Sequence, residues 1–367
     1  MTAVDQAHMA HALQLAARGR YTAHPNPRVG CVIAHGSNIV GAGWHQRTGE
    51  AHAEIHALQQ AGAQARGATA YVTLEPCCHQ GRTPPCTDAL IQAGVARVVA
   101  AMPDPNPQVA GKGLTQLAQA GIRVDSGLMQ AQAEQLNRGF ARRMRAGRPF
   151  VRLKLAMTLD GRSATATGES QWITSEAARA DVQRLRAESG ALLTGINTAL
   201  ADDPRLTVRV EENHLHPLRV VLDSHLRLPA SARMLQQPGQ TLLLTTLSDT
   251  AQHATLTQAG AVVTHLPQAG GRLDLPAVLH HIAAAHHVND VLVEAGPTLN
   301  GAWLEAGLVD ELIIYMAPSL LGSDARGLFQ FAMPLALPQR IELEIVEVRA
   351  IGRDWRITAT TRKPQPA

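Results

Sequence analysis

Four side chains suited to metal binding and proton transfer fall within residues 52–86: His52, Glu54, Cys77 and Cys86. A zinc ion held by His52, Cys77 and Cys86 has three protein ligands and keeps a fourth position for water. Such an ion lowers the pKa of its water toward neutrality, the arrangement for metal-assisted hydrolysis. Glu54, not a ligand, would take a proton from that water and return it to the leaving group. His-x-Glu alone carries little weight, because the chain has 17 histidines and such a pair arises on helix surfaces by chance. The weight comes from Glu75-Pro76-Cys77 at the end of an apolar run and from the returning thiol of Cys86. Either of the adjacent thiols Cys77 and Cys78 offers a sulfur, and the preceding Pro76 favours Cys77. A fourth protein ligand, Cys78 or His79, would instead close the site and make the metal structural.

These groups must be positioned by elements of the right kind. Residues two apart on a helix lie about 200° apart around its axis, so His52 and Glu54 share a site only in a first turn. Helical spacing over 51–61, stopping at Gly62, supplies that turn. A strand over 68–74 leads to Cys77, and a helix over 87–94 follows Cys86. The remainder of this half reads as a helix over 5–18, a strand at 29–34 with a hairpin partner at 38–45, and a strand at 96–102. A proline-rich loop over 103–113 and a helix ending near Gly121 follow, and the basic stretch 137–150 reads as a solvated helix face leading into a linker. Cys31, inside an apolar strand, is expected in the core. Strands then restart at 151–161, 191–196, 218–224, 241–246, 261–266, 290–296 and 311–318, with helical stretches such as 175–189 between several of them. This alternation predicts an α/β fold in two domains, 1–147 and 148–367.

In the second half no strand–helix unit carries G-x-G-x-x-G, so a standard dinucleotide fingerprint is not supported. Residues 290–307 offer something else: a strand ending at Glu294, a Gly296-Pro297 turn, and Thr298 opening a helix. N–H groups at such a helix start suit a cofactor phosphate, although an ordinary strand–turn–helix has the same pattern.

Zinc deaminases carry H-x-E followed by P-C-x-x-C. This chain departs from that pattern by placing eight residues between Cys77 and Cys86. HPNPRVGCVI, GEAHAE, TAYVTLEPC and GRTPPC together resemble the N-terminal deaminase domain of the bifunctional riboflavin-biosynthesis deaminase–reductase family, which has the long inter-cysteine loop. Ser is common in that family where Cys78 stands. The resemblance implies a cytidine-deaminase-like domain, with Asn26, His45, His79 and Arg82 lining the pyrimidine and phosphoribosyl pocket. KLAMTLDGR, GESQWITS, LADDPRLTVR, VEAGPTLNGA and LVDELIIYMAPSLLG are similar to the reductase domain of the same family. They imply a dihydrofolate-reductase-like domain that uses NADPH. Carried over by position, Ala156, Trp172, Thr198, Asp202, Ser224, Gly296, Pro297, Thr298, Leu299, Asn300 and Gly301 would contact NADPH. Ser170, Arg186, Leu206, Arg209 and Glu294 would meet the substrate, and Lys154 would position or protonate the sugar. Several have a plainer reading: Asn26 and Asp202 in turns, Arg82 as a loop charge, Arg186 as a surface charge, Trp172 as core packing.

The resemblance implies two steps. An exocyclic amine is hydrolysed from a phosphoribosylamino diaminopyrimidinone, and hydride from NADPH then converts the ribosyl group to ribityl. A formal charge of +3 and 3% aromatic residues argue against a nucleic-acid partner. No run of about 20 apolar residues would span a membrane. Asp5 and the histidines of the first 19 residues argue against a secretory signal. Three of the four cysteines lie within ten positions, which suits a metal site in a cytoplasmic protein better than disulfides. A homo-oligomer is expected. The competing expectations are a nucleoside or nucleic-acid deaminase joined to an unrelated binding domain, and a module with a structural zinc.

Overall fold

The computed structural model describes residues 1–79, 84–107, 109–212, 214–248, 251–332, 336, 338 and 340–361. The chain forms two compact units, Met1–Arg148 with Asn213–Leu215, and Pro149–Glu212 with His216–Ala367.

In the N-terminal unit the elements are α1 (Ala3–Ala17), β1 (Gly30–His35), β2 (Asn38–Trp44), α2 (Ala53–Ala61), β3 (Thr69–Val72) and α3 (Cys86–Ala93). They continue with β4 (Arg97–Ala100), α4 (Lys112–Gln119), β5 (Arg123–Ser126), α5 (Gln130–Leu136) and α6 (Arg138–Ala146). The sheet order is β2-β1-β3-β4-β5. β1 pairs antiparallel with both β2 and β3, whereas β3, β4 and β5 run parallel. Met9, Ala12 and Leu15 of α1 pack with Val32, Ala34, Tyr71 and Val99. Ala53, Ala57, Leu90 and Leu117 pack with Cys31, Ile33, Ala70, Val72 and Val98. Alternate residues of the strands thus feed two cores, giving a helix–sheet–helix sandwich.

Capping fixes where two of these helices begin and end. Thr2 and Asp5 form a reciprocal capping box at the start of α1, and Gly94, at φ 70°, stops α3. The glycines of β2 have a packing role. A Cβ on Gly41 would lie 2.2 Å from the Ala57 carbonyl oxygen, and one on Gly43 would lie 2.8 Å from that of Ala53. Only hydrogen at these positions lets α2 approach the sheet closely, and α2 begins at Ala53, two residues after the expected start, and ends at Ala61 as expected.

The C-terminal unit contains β6 (Phe150–Thr158), β7 (Arg162–Ala164), α7 (Glu176–Glu188), β8 (Ala191–Gly195), α8 (Ile196–Asp202), β9 (Leu218–Leu222) and β10 (Thr241–Thr245). Then come α9 (Ala251–Gln258), β11 (Ala261–His265), β12 (Gln268–Ala269), β13 (Arg272–Leu273), α10 (Leu275–His286), β14 (Asp290–Val293) and α11 (Pro297–Glu305). The last strands are β15 (Glu311–Ala317), β16 (Arg326–Gly327), β17 (Leu343–Ile351) and β18 (Asp354–Thr361). The main sheet runs β11-β10-β9-β8-β14-β6-β15-β18-β17, and β7–β16 and β12–β13 form short ribbons. Strands from β11 to β15 in that order are parallel; β18 and β17 close the edge antiparallel. The parallel strands are buried on both faces, which is why LRVVL, TLLLT and DVLV read as continuous apolar runs. One face packs on α10 and α11 through Val278, Leu279, Ile282 and Trp303. The other packs on α7 and α9 through Ala178, Val182, Leu185 and Leu256.

Among the parts of the fold beyond the sequence expectation are β5, α5, the short ribbons β7–β16 and β12–β13, and the β17–β18 pair, whereas α6 falls within the basic stretch read as a helix face. β17 mixes Glu344, Glu347 and Arg349 with apolar residues, and eight of its nine residues are exposed. It therefore lacks the buried apolar signature by which the other strands are legible.

Candidate active sites

His52 is the N-cap of α2 and Glu54 lies in its first turn, the only part of a helix where two such residues can share a site. His52 Nδ1 lies 3.5 Å from Cys77 Sγ and 3.3 Å from Cys86 Sγ. Among the described residues, these three bring one ligand atom each within 4.8 Å of one another, and Cys78 and His79 are not in that group. One imidazole nitrogen and two sulfurs, all within 4.8 Å of one another, are a donor set and spacing that suit a tetrahedral zinc site with one position left for water. Cys77 lies five residues beyond the end of β3, while Cys86 opens α3 and donates its backbone N–H to Cys77 Sγ at 3.4 Å.

The electrostatics suit an ion at this point. The Cys86 thiol and then His52 hold Cys77 well below the ordinary thiol range, and Cys77 in turn raises Cys86 and keeps His52 protonated more readily. Glu54 is 3% exposed, and burial, reinforced by Cys77, pushes its pKa up to about 7. It is therefore poised near neutrality, where a group that must both accept and return a proton works best.

Asn26 and His45 are also brought together. Asn26 Nδ2–H donates to His45 Nε2 at 3.1 Å, and His45 Nδ1–H donates to the Ala51 carbonyl at 3.2 Å. Burial lowers the pKa of His45 and so favours the neutral ring that these partners require. With both ring nitrogens engaged and the ring edge-on to His52 at 5.4 Å, His45 braces the backbone before His52 and presents Asn26. His79 is exposed beside Cys78, and Arg82 lies outside the described residues. Cys31 is fully buried in the core, as expected.

Glu75 is a site-building residue that spacing did not single out. Its buried carboxylate accepts backbone N–H groups from Asp104, Gly111, Gly113 and Leu114 at 2.9–3.3 Å. It ties the segment carrying Cys77 to the 103–113 loop. Only the tertiary fold brings that loop to Glu75.

In the C-terminal unit the predicted residues gather at the C-terminal ends of the parallel strands, where ligands bind in open α/β sheets. Glu294 follows β14, and Lys154 lies one residue beyond the Leu153–Val293 pair, level with it. Arg186 grips Glu294 bidentately, Nε to Oε1 at 2.6 Å and Nη2 to Oε2 at 2.9 Å, and Nη1 donates to the Thr207 carbonyl. Both side chains are 13% exposed, so Arg186 is not the surface charge its polar helix suggested. Burial pushes Glu294 up, but Arg186 and Lys154 outweigh it and hold the carboxyl below its ordinary range. Burial lowers Lys154 and Glu294 opposes that shift. Arg209, exposed near Arg186 and Arg205, completes a cluster with more cations than anions.

The remaining positions divide. Gly296 caps α11, whose N1 is Pro297, so the N–H groups of Thr298 and Leu299 lack partners within the helix. Asn300 and Gly301 face inward. Asn300 Nδ2 donates to the carbonyls of Ala295 and Leu328, and a Cβ on Gly301 would lie 2.2 Å from the Gln330 carbonyl oxygen. Leu206 is buried at φ 47°, so its side chain belongs to the core. Trp172 is 69% exposed with the Arg179 guanidinium 4.7 Å from its ring centre, so it is not core packing. Ala156 lies on β6, Thr198 and Asp202 on α8, Ser224 just after β9, and Ser170 in the segment before α7.

Comparison with known proteins gives this geometry a family. A model of the cytidine and deoxycytidylate deaminase zinc-binding region matches residues 2–102, and a model of the RibD C-terminal domain matches residues 149–357. The riboflavin biosynthesis protein RibD of Escherichia coli K12 is 54% identical over 362 residues, covering 95% of this chain and 97% of that protein. The solved structure of Acinetobacter baumannii RibD superposes with a TM-score of 0.92 at 44% identity, over 98% of this chain and 99% of that one. A Thermotoga maritima diaminohydroxyphosphoribosylaminopyrimidine deaminase/5-amino-6-(5-phosphoribosylamino)uracil reductase superposes at 0.86 with 29% identity over the same shares. The folds are thus cytidine-deaminase-like and dihydrofolate-reductase-like, and the match over 149–357 displaces the alternative of an unrelated C-terminal binding domain. On the paired family models and near-complete coverage, the chain belongs to the RibD family of bifunctional riboflavin-biosynthesis enzymes, a zinc-dependent deaminase followed by a reductase.

Proposed function

We propose that residues 1–147 deaminate 2,5-diamino-6-(5-phosphoribosylamino)pyrimidin-4-one, and that residues 148–367 then reduce the ribosyl group of 5-amino-6-(5-phosphoribosylamino)uracil to ribityl. The observation that carries the first step is the His52–Cys77–Cys86 cluster beside buried Glu54. Zinc bound there supplies the Lewis acidity that makes water a nucleophile at neutral pH. Glu54 takes the two protons released at the site in turn, passing the first to the ring nitrogen and the second to the amine that leaves as ammonia, a cycle that its raised pKa supports. Asn26, with its amide fixed by His45, is the group offered to the pyrimidine edge. The position of Cys77 in the cluster supports it, rather than Cys78, as the ligand.

For the second step, Ala156, Thr198, Asp202, Ser224, Trp172 and the start of α11 hold NADPH, which supplies the hydride. The unpartnered N–H groups of Thr298 and Leu299 suit its pyrophosphate. Arg209 binds the substrate phosphate, where Arg186 has fewer donors left because Glu294 and Thr207 take them. Glu294 and Lys154, paired in depth at the strand ends, orient the sugar; as C1′ accepts hydride and its bond to O4′ opens, Lys154 gives its proton to O4′.

The protein acts in the cytoplasm, a reading that its free Cys31, Cys77, Cys78 and Cys86 support. It assembles as a homo-oligomer. Leu343, Ile345 and Val348 of edge strand β17 and neighbouring Trp355 are 40–62% exposed, an apolar patch that supports contact between copies. Glu54→Gln tests the division of labour: ammonia release should vanish while zinc content and NADPH-dependent reduction of the deaminated intermediate persist. Loss of reduction together with deamination would sink the two-site reading.

A further inference from the structure

The turn after β9 holds a cation to which the two-step reading gives no role. Asp223, the first residue beyond β9, is fully buried. Its carboxylate accepts the Leu228 N–H at 2.9 Å and its carbonyl accepts the Leu226 N–H at 3.2 Å. Leu226, buried at φ 51°, completes the turn. The intervening Arg227 is exposed, and its Nη2–H donates to Asn197 Oδ1 at 2.9 Å, in the first turn of α8. The sheet order β9-β8-β14 lines up three things along the C-terminal edge of the strands: Arg227, then Asn197 and Thr198 after β8, then the start of α11 after β14.

In dinucleotide-binding α/β units an acidic group near the end of the second strand holds the ribose 2′-hydroxyl, whereas an arginine nearby accommodates a 2′-phosphate. Here the acid at the strand end is turned inward, closing the turn with Leu228, and cannot reach a ribose. The group presented outward is a guanidinium, oriented by Asn197, whose Nε and Nη1 can still grip a phosphate bidentately. We propose that Arg227, held by Asn197, binds the 2′-phosphate of NADPH and sets the preference for NADPH over NADH. The assignment rests on the reading that the α11 start and its neighbours hold the dinucleotide.

The test titrates the full-length protein and its Arg227→Ala and Arg227→Lys variants with NADPH and with NADH, following nicotinamide fluorescence. Arg227→Ala should lose about 10- to 100-fold in NADPH affinity, the range for a hydrogen-bonded charge pair. Its NADH affinity should be unchanged, which also shows that the site is still folded. Arg227→Lys should keep part of the NADPH affinity, because the charge remains and the fork is lost. Equal weakening of both cofactors in Arg227→Ala would make Arg227 a support of its own turn and overturn the proposal, as would unchanged NADPH affinity. Binding of neither cofactor by the wild-type protein would instead bring down the dinucleotide-site reading itself, and this assignment with it.

Discussion

Glu294→Gln removes one negative charge from a cluster in which Arg186 and Lys154 depend on it. The carboxylate takes two charge-assisted hydrogen bonds from Arg186, at 2.6 and 2.9 Å, with both side chains 13% exposed. Glutamine keeps one acceptor oxygen but turns an N–H₂ toward a guanidinium, leaving Arg186 buried without its counter-charge. Breaking such a pair from one side costs about 3–5 kcal/mol in a dry interior. The slight exposure lets water in, so about 3 kcal/mol is expected here. Urea unfolding followed by tryptophan fluorescence reads this, since three of the four tryptophans, Trp172, Trp303 and Trp355, belong to the C-terminal unit, and replacing Trp44 of the N-terminal unit by Phe in every variant removes its signal. The midpoint should fall with the slope unchanged. The double variant Arg186→Met/Glu294→Gln should recover much of the loss, because no orphaned charge remains. The same substitution has a second, chemical readout. Glu294 raises the pKa of Lys154 against burial, so its loss should move the Lys154 titration to lower pH. The basic limb of the reductase pH–rate profile, or the rate of amine labelling, would report that shift. A cost below about 1 kcal/mol would refute the reasoning, as would a double variant as unstable as the sum of the singles.

Three further outcomes are expected. Cys78→Ser should retain stoichiometric zinc by metal analysis, whereas His52→Ala, Cys77→Ser and Cys86→Ser should each lose it; zinc loss in Cys78→Ser would move the sulfur ligand by one position. Gly41→Ala should cost about 2–3 kcal/mol in thermal unfolding and lower zinc content, because its Cβ meets the Ala57 carbonyl oxygen at 2.2 Å and α2 must move. Asp5 is held well below the ordinary carboxylate range chiefly by Arg97, whose Nη1 is 2.7 Å away. Its contribution, about 2 kcal/mol, is present above the unfolded carboxyl pKa near 4 and is lost as pH falls below it. The stability gap between wild type and Asp5→Asn should therefore be full at neutral pH and close in acid; a gap that does not change with pH would contradict this.

Much of the site was legible in the one-dimensional pattern because its chemistry is local. His52 and Glu54 fall at one helix start, Cys77 lies in the segment that follows a strand, and Cys86 begins a helix, so the order of elements predicts their company. Gly62 and Gly94 stop helices for backbone reasons that need no knowledge of the fold. The buried parallel strands were equally readable as continuous apolar runs.

What only tertiary structure decided are the pairings between distant segments. Arg186 reads as a surface charge in a polar helix until Glu294, 108 residues later, is brought against it. Trp172 reads as core because large aromatics usually bury, yet its segment lies outside the packed layers and leaves it exposed. Glu75 gains its role from four backbone N–H groups, two from the 103–111 loop and two from the first turn of α4, which only packing brings to it. The sequence by itself determined which residue types could do chemistry and which elements carry them. Which side chains face one another, and so which are free to meet a ligand, was set by the order of strands and the close approach of helices, since burial and hydrogen-bond satisfaction depend on the whole fold.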